Sequence, residues 1–298
     1  MSAELAVRIF KSLENEDFRV LMGVELGMFR HAYVPFKEIA IFSELPQARV
    51  PFHLEKLERL ELIQRWAGPY TGYVLNTAGY DCLAIHAMVK AGILEAFGNA
   101  LGVGKEADVY DALTPKGERV AVKFHRLGRI SFRQTRRMRG YAGERRHISW
   151  LYQSRLAAGK EFQALKILYP AGVTVPNPIA HNRHMVVMGL IEGTQLANFF
   201  ELPNPDAMLR EILLNVRTAY VKAGIIHADL SEFNVIVKPD GHVLIIDWPQ
   251  YVTKDHPNAR SLLRRDILNF YTYFQRKYKV KTKLPKALKY AEGKIGKI

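Results

Sequence analysis

The chain has 298 residues, 48% of them hydrophobic, with 43 Lys and Arg against 29 Asp and Glu and a formal charge of +14. That length suits two domains with sizeable cores, and the single cysteine, Cys82, excludes an intrachain disulfide and reads as a small buried hydrophobe rather than a reactive thiol. No apolar run approaches the ~20 residues of a bilayer span and the first ten residues lack a signal peptide's basic start, so the expected location is cytoplasmic; the positive surplus points to polyanions such as nucleic acid or ribosomal particles, or else to a merely basic soluble protein.

Residues 1–90 read as mostly helical. Leu5, Ile9 and Leu13, then Phe18, Leu21 and Leu26, recur at helical spacing. Pro35 opens a short helix over 36–41, a turn follows at 43–47, and Val50, Leu54 and Leu57 carry a third amphipathic helix. The segments 64–66 and 70–75, split by Gly68-Pro69, predict a β-hairpin, and Asn76 or Thr77 can cap the helix after it. Three helices, a hairpin and a helix form the pattern of a winged helix-turn-helix; the same elements also fit a small helical bundle with a connecting hairpin. Arg49, His53 and Lys56 share one stripe of the third helix, but Glu55, Glu58 and Glu61 share the helix too. Contact with structured RNA or a ribosomal surface is therefore expected, rather than sequence-specific reading of DNA.

Residues 91–298 change in character. Strands are predicted at 109–113, 119–124, 185–190, 235–238 and 242–246, and long helices at 148–171, 207–223 and 259–279. An early strand-rich part and a later helix-rich part predict two lobes, 91–190 and 191–298, giving an α+β chain overall.

The chemistry also follows chain order. Leu101-Gly102-Val103-Gly104-Lys105-Glu106-Ala107-Asp108-Val109-Tyr110 places glycines before a strand, where bare backbone can approach phosphates. The next strand, Val120-Ala121-Val122-Lys123-Phe124, sets one lysine among apolar residues, a costly burial unless phosphate or an acid meets the ammonium. Glu161 is the candidate acid, with a solvated helix charge as its plainer reading. In Ile225-Ile226-His227-Ala228-Asp229-Leu230-Ser231-Glu232-Phe233-Asn234 an acid is followed five residues later by an amide. The turn Pro239-Asp240-Gly241 then returns the chain through Val243–Ile246 to Asp247. A tight hairpin brings Asn234 and Asp247 together as hard oxygen donors suited to Mg²⁺, and leaves Asp229 beside them to accept a proton or meet the γ-phosphate. The D-x4-N spacing, the hairpin and the closing Asp match the phosphoryl-transfer arrangement of kinases.

These blocks, together with Ile-Asp-Trp-Pro-Gln at 246–250 and the winged-helix pattern before them, resemble the RIO family of atypical serine/threonine protein kinases, in its second, winged-helix-bearing subfamily. The similarity covers nearly the whole chain, and its compact length resembles archaeal-type members. The resemblance implies ATP with Mg²⁺ (or Mn²⁺) as cofactors. It implies Lys123 on the α/β-phosphates with Glu161 paired to it, Asp229 as catalytic acid/base, and Asn234 and Asp247 as metal ligands. It implies Met188 as gatekeeper, Gly189 and Ile191 facing adenine through their backbone, and Val109, Ala121 and Ile236 around the base. Leu101, Gly104, Lys105, Glu106 and Ala107 complete the nucleotide contacts. It further implies work on precursor small ribosomal subunits, and in some members a phosphate carried on the metal aspartate, here Asp247. The alternative is a nucleotide-gated RNA- or ribosome-binding scaffold with little phosphotransfer to proteins.

Several positions depart from kinase patterns. Ala107 stands where ordinary kinases have a third glycine and RIO members usually a serine. Ala228 replaces the arginine of His-Arg-Asp, Trp248 replaces a phenylalanine, and Gly189 an acidic hinge residue. No Ala-Pro-Glu follows Asp247, and Pro257 and a helical pattern arrive soon after it, so a platform for an extended peptide is not expected. The stretch 126–146 carries eight arginines, with Phe132 and Tyr141 interleaved; it fits a phosphate-gripping, base-stacking segment or a solvated loop. Residues 277–297, lysine-rich, read as a frayed tail or a second basic contact.

Overall fold

The computed structural model describes residues 2–127 and 150–298. The chain divides into two compact units, residues 1–156 with 182–185, and residues 157–181 with 186–298. Among the described residues no helix is long and apolar enough to cross a membrane.

The first unit opens with helices α1 (Ser2–Phe10) and α2 (Asn15–Gly27), a short strand β1 (Val34–Pro35), then α3 (Phe36–Ser43) and α4 (Val50–Arg59). A hairpin of β2 (Ile63–Ala67) and β3 (Thr71–Leu75) leads into α5 (Thr77–Lys90). The strands order β1-β3-β2, so this is a winged helix-turn-helix. Local chemistry accounts for the boundaries. Pro51 lies in the first turn of α4, where its missing N–H is not needed. The Asn76 side chain caps α5 by accepting the Gly79 N–H at 3.0 Å. Gly79 is required there for space, because a Cβ would lie 2.2 Å from the Leu62 carbonyl oxygen. The apolar sides of the helices meet in a core that includes Leu21, Ile39, Leu54, Leu57, Leu62 and Leu83. Cys82 is fully buried in it, and burial pushes its thiol pKa up, as a structural rather than reactive cysteine requires.

The charged stripe beside α2 is engaged by acids. His53 Nδ1 lies 2.7 Å from Asp17 Oδ1 and its Nε2 lies 2.9 Å from Glu16 Oε2. Lys56 donates to Asp17 Oδ2 at 2.6 Å, and Arg49 pairs with Glu16 at 2.8 Å. All three cations are occupied by acids of α2. Phe52, Glu55 and Glu58 are exposed on the same helix. A helix that follows a phosphate backbone needs its cations available, and Arg49, His53 and Lys56 are already engaged.

After α5 comes an antiparallel meander of β4 (Ala96–Val103), β5 (Ala107–Leu113) and β6 (Arg119–His125). Sequence reading placed Leu101–Val103 in a loop. They instead end a strand whose pairing with β5 shifts register between Ala100 and Gly102.

The second unit takes most of helix α6 (Trp150–Leu168), then strands β7 (Pro178–Asn182) and β8 (Met185–Gly189) and the short β9 (Thr194–Gln195). Helix α7 (Pro205–Thr218) is capped by Asn204, which accepts the Ala207 N–H at 3.0 Å. The strands β10 (Ile225–Ile226), β11 (Val235–Val237), β12 (Val243–Ile245) and β13 (Val252–Thr253) follow, then α8 (Ala259–Tyr278) and α9 (Leu284–Ala291). Leu209, Ile212, Leu213, Ile267, Phe270 and Phe274 bury between the packed α7, α8 and α9. The lysine-rich end is therefore no frayed tail. Ala287 and Ala291 are fully buried, and Arg217 donates to the carbonyls of Tyr290 and Ile295 at 2.6 Å each.

Asp17 is fully buried against His53 and Lys56. Burial raises its carboxyl, but the Glu14 backbone N–H, Lys56 and His53 outweigh that and hold it below its ordinary 3.8. A depressed carboxyl contributes stability above its unfolded value and loses it as pH falls through the folded one. Asp17→Ala should therefore destabilise the protein by about 3 kcal/mol at pH 7. In chemical denaturation series the gap from the unsubstituted protein should narrow as pH drops below 3.8.

Candidate active site

The residues singled out from sequence fall into two groups, one in each unit. In the first, the meander's register sets the geometry. Gly102 pairs with Val109 and Val109 with Lys123, a single row across three strands. Directly opposed residues share a face, and residues two apart along a strand return to it. Val109, Ala121 and Lys123 therefore project from one face, beside the bare backbone of Gly102. At the meander's end the Gly104 N–H donates to Ala107 O at 2.8 Å, closing a turn that exposes Lys105 and Glu106. This face can offer an ammonium and open backbone to phosphates, with Val109 and Ala121 as apolar cover. Lys123 itself is 8% exposed.

In the second unit the expected hairpin is present: Val235 pairs with Ile245, Ile236 with Leu244 and Val237 with Val243. The Ile246 N–H donates to Asn234 O at 2.8 Å, extending the ladder to the site. Asn234 and Asp247 thereby stand at adjoining strand ends, with Asn234 Nδ2 3.5 Å from Asp247 Oδ2. The Ser231 hydroxyl donates to Asn234 Oδ1 at 2.7 Å. One carboxylate and one amide oxygen suit Mg²⁺, which binds through one or two carboxylates and takes phosphates and waters for the rest. Among the described residues no group of three His, Cys, Asp or Glu could hold a metal by itself. Asp247 has φ +68°, in the left-handed region that non-glycine residues seldom enter. Such strain persists where surrounding structure over-determines it, commonly at functional sites.

A second left-handed residue, Ala228 at φ +65°, precedes Asp229. What holds it was not visible in the sequence motifs. Asp266, on α8, accepts the Ala228 N–H at 2.8 Å and the Leu230 N–H at 3.4 Å, and Arg265 donates to Ala228 O. Asp266 is 1% exposed, and burial pushes its carboxyl up to about 6 even against those two N–H groups. It brackets Asp229 from both sides, so the loop's shape depends on it. Only its position on the inner stripe of an amphipathic helix could have signalled it, as a buried acid among Leu263, Ile267 and Phe270.

His227 completes the frame. Burial lowers its pKa, and its Nε2–H donates to Ile246 O at 3.0 Å. Asp247, Asp229 and Glu161 all act on it electrostatically, which sets Glu161 of α6 near the two acids. Glu161 is 2% exposed, not a solvated helix charge. Trp248, fully buried, lies 4.5 Å from His227 and donates to Ile245 O at 3.2 Å. It stands directly after Asp247, where ordinary kinases have phenylalanine.

Met188 is buried on β8, and the Gly189 N–H donates to Asn177 O at 2.9 Å. Ile191 and Ile236 are half-buried. Gly193 lets β9 approach β11, for a Cβ there would lie 2.5 Å from Val237 O. Pairing of β13 with β10 leaves only a short connection between Asp247 and α8. Of the basic stretch, Arg129 to Arg146 lie outside the described residues. Arg126 is described and is no surface phosphate clamp: it is 3% exposed and bound by Asp81 and Asp108.

Comparison with known proteins matches a model described as the RIO domain to residues 108–287, and one described as Rio2, N-terminal, to residues 10–91. The RIO-type serine/threonine-protein kinase Rio2 of Methanocaldococcus jannaschii is 44% identical over 258 residues, covering 85% of this chain and 93% of that protein. The serine/threonine-protein kinase rio2 of Schizosaccharomyces pombe is 39% identical over 282 residues, 94% of this chain and 82% of that one. Among solved structures, the Rio2 kinase–ADP/Mg²⁺–phosphoaspartate complex from Chaetomium thermophilum aligns with a TM-score of 0.82 at 36% identity, over 98% of this chain and 89% of that chain.

Asp266→Asn replaces one acceptor oxygen by an amide that opposes a backbone N–H, so the Asp229 loop should shift. Turnover of ATP should fall about 10²-fold, the scale of an ångström-sized misplacement. A carboxyl raised to about 6 destabilises the fold when ionised and relieves it as pH falls from 6 toward 3.8. Removing that charge should therefore leave the melting temperature at pH 7 unchanged or higher, so a loss of activity together with a lower melting temperature would contradict the assignment.

Proposed function

The chain belongs to the RIO kinases, in the branch that carries the Rio2 N-terminal domain, and on that premise we propose that its phosphoryl transfer from ATP serves maturation of the small ribosomal subunit in the cytoplasm. It is an atypical serine/threonine kinase, and ATP and Mg²⁺ are its cofactors. The observation that carries the reading of the site is the hairpin that sets Asn234 beside Asp247 while Asp266 fixes the loop bearing Asp229. Asn234 and Asp247 hold the metal, which neutralises phosphate charge and orients the γ-phosphate. Asn234 Oδ1 can accept from the Ser231 hydroxyl and still present its second lone pair to the metal. Asp229 orients the attacking group and takes its proton. Lys123 and Glu161 take the roles expected of them from sequence, with Gly104, Lys105 and Glu106 at the phosphates and Met188, Gly189 and Ile191 at adenine.

The acceptor need not be an extended peptide. The connection after Asp247 is short, and Ala228 offers no side chain to anchor a phosphorylated loop. The phosphoaspartate of the Chaetomium protein supports Asp247 as a transient acceptor. The bond from the γ-phosphorus to the bridging oxygen of ADP breaks as one to a carboxylate oxygen of Asp247 forms. Water then attacks the acyl phosphate, releasing inorganic phosphate and the free carboxylate. Such a cycle switches the protein between two states rather than marking a substrate. The +14 charge favours a ribosomal RNA-rich particle as what it switches upon.

Purified protein should hydrolyse ATP slowly alone and faster with precursor small-subunit particles, and Asp229→Asn should remove about 10²-fold or more of that rate. Hydroxylamine-sensitive phosphate should appear on the chain after incubation with ATP and be absent from Asp247→Asn. No stimulation by particles, with phosphate appearing instead on an added protein, would return the chain to conventional protein kinases. Particle binding that is steeply salt-dependent but indifferent to nucleotide and to both substitutions would favour the scaffold reading.

A further inference from the structure

Asp108 follows Ala107 directly in β5, yet its side chain takes the opposite face of the meander from Val109 and Lys123. It is fully buried there and is met by Arg126, whose Nε donates to Asp108 Oδ2 at 2.9 Å. The backbone N–H of Arg126 donates to Glu106 O at 2.6 Å. One arginine thus grips the residues on both sides of Ala107, where the turn closed by Gly104 re-enters the sheet.

The other end of the same guanidinium belongs to the winged-helix domain. Nη1 and Nη2 donate to Asp81 Oδ1 and Oδ2 of α5 at 2.6 and 2.9 Å, a two-pronged pair. His184 Nε2 lies 2.6 Å from Asp81 Oδ1, and its ring stacks on Tyr80 at 4.7 Å. The same His184 nitrogen lies 3.0 Å from Arg126 Nη1, and burial lowers the pKa of the ring. None of Asp81, Asp108, Arg126 and His184 is more than 3% exposed. A buried ionic cluster is a poor source of stability compared with the apolar packing that could replace it, whereas its fixed forks specify distance and angle. What this one specifies is the position of residues 106–108 relative to α5.

Given the nucleotide site proposed above, we infer that Asp81 and Arg126 are positioning residues for the phosphate-binding turn, so that the winged-helix domain sets the affinity of the protein for nucleotide phosphates. The coupling is reciprocal: whatever the winged helix binds with a change at α5 is sensed by the turn, and a bound nucleotide is sensed at the winged helix by the same free energy.

Calorimetric titration of the full chain with ADP·Mg²⁺ and with adenosine separates this role from general loosening, since adenosine lacks the phosphates. Asp81→Asn keeps the side-chain size and removes the charge; it should raise the Kd for ADP·Mg²⁺ about tenfold, within the usual span of coupling between sites, and leave that for adenosine unchanged. Should it fail to fold, Arg126→Lys, which keeps the charge and loses the fork, is read the same way. Arg49→Gln removes an ion pair wholly within the winged-helix domain, the 2.8 Å contact with Glu16, and should change neither ligand. Equal weakening of both ligands by Asp81→Asn or Arg126→Lys, or of neither, overturns the positioning role. Lys123→Met tells apart the two ways of failing. If it weakens ADP·Mg²⁺ while the other two do not, only the coupling is wrong; if it has no effect, the nucleotide site is misplaced and the positioning role falls with it.

Discussion

A carboxylate buried against two backbone N–H groups is the constraint from which the site in the second unit follows. Asp266 has no lysine or arginine sharing its burial, and two backbone N–H groups are its main compensation, so its pKa rises to about 6. Those N–H groups belong to Ala228 and Leu230, and Asp229 can only stand where they leave it. Holding Ala228 at φ +65° costs on the order of 1 kcal/mol or more, and nothing in the local sequence favours that conformation. Tertiary contacts therefore impose the loop, and the hairpin of β11 and β12 receives its end through the Ile246–Asn234 bond. Strain at Ala228 and Asp247 and charge burial at Asp266 fall within the same few residues. A protein selected only for stability would have relieved both.

The sequence was most legible where backbone chemistry and spacing agree. Asn76 as a cap, the Pro239-Asp240-Gly241 turn and the strands ending in Lys123 and Asp247 rest on local rules, and each element appears within a few residues of its expected bounds. Asp266 was not legible, because a carboxylate on a helix looks the same whether it meets water or a backbone thirty-eight residues earlier in the chain. The same limit applies to Arg126, which in sequence is the first of a run of arginines and in the structure is a buried fork. Charge patterning shows how many cations a segment has, not which acids reach them. On α4 the expected stripe of Arg49, His53 and Lys56 is there, but Glu16 and Asp17 of α2 occupy it. Helix α9 was missed for the opposite reason: its lysines hid the apolar stripe of Leu284, Ala287, Leu288 and Ala291.

That redistribution of charge bears on partner choice. A formal charge of +14 is the average over a chain in which several cations are already matched by buried or half-buried acids. The winged helix, whose fold alone suggests DNA, has matched Arg49, His53 and Lys56 at the helix that would enter a groove. What remains is a net positive surplus. Such a field attracts polyanions without reading their sequence.

Two buried ionic devices thus stand in the two units, and they are opposite in kind. At Asp266 a carboxylate is compensated by backbone dipoles and by half-exposed Arg265 at 3.8 Å, and burial still raises its pKa to about 6. At Arg126 a cation is shared by two carboxylates and cannot change its charge in the physiological range. The first can respond to small changes around it, since a group with a pKa of about 6 shifts its protonation with modest changes in field. The second is rigid, and transmits position rather than charge. A switch needs both properties: an element with two accessible states, and a stiff link that lets a distant domain bias it. In this fold the stiff link joins the winged helix to the turn that carries Lys105 and Glu106, and the poised group lies under the loop that carries Asp229. On the proposed reading of the chain as a nucleotide-driven switch, that link is where the winged helix would act on the phosphate turn.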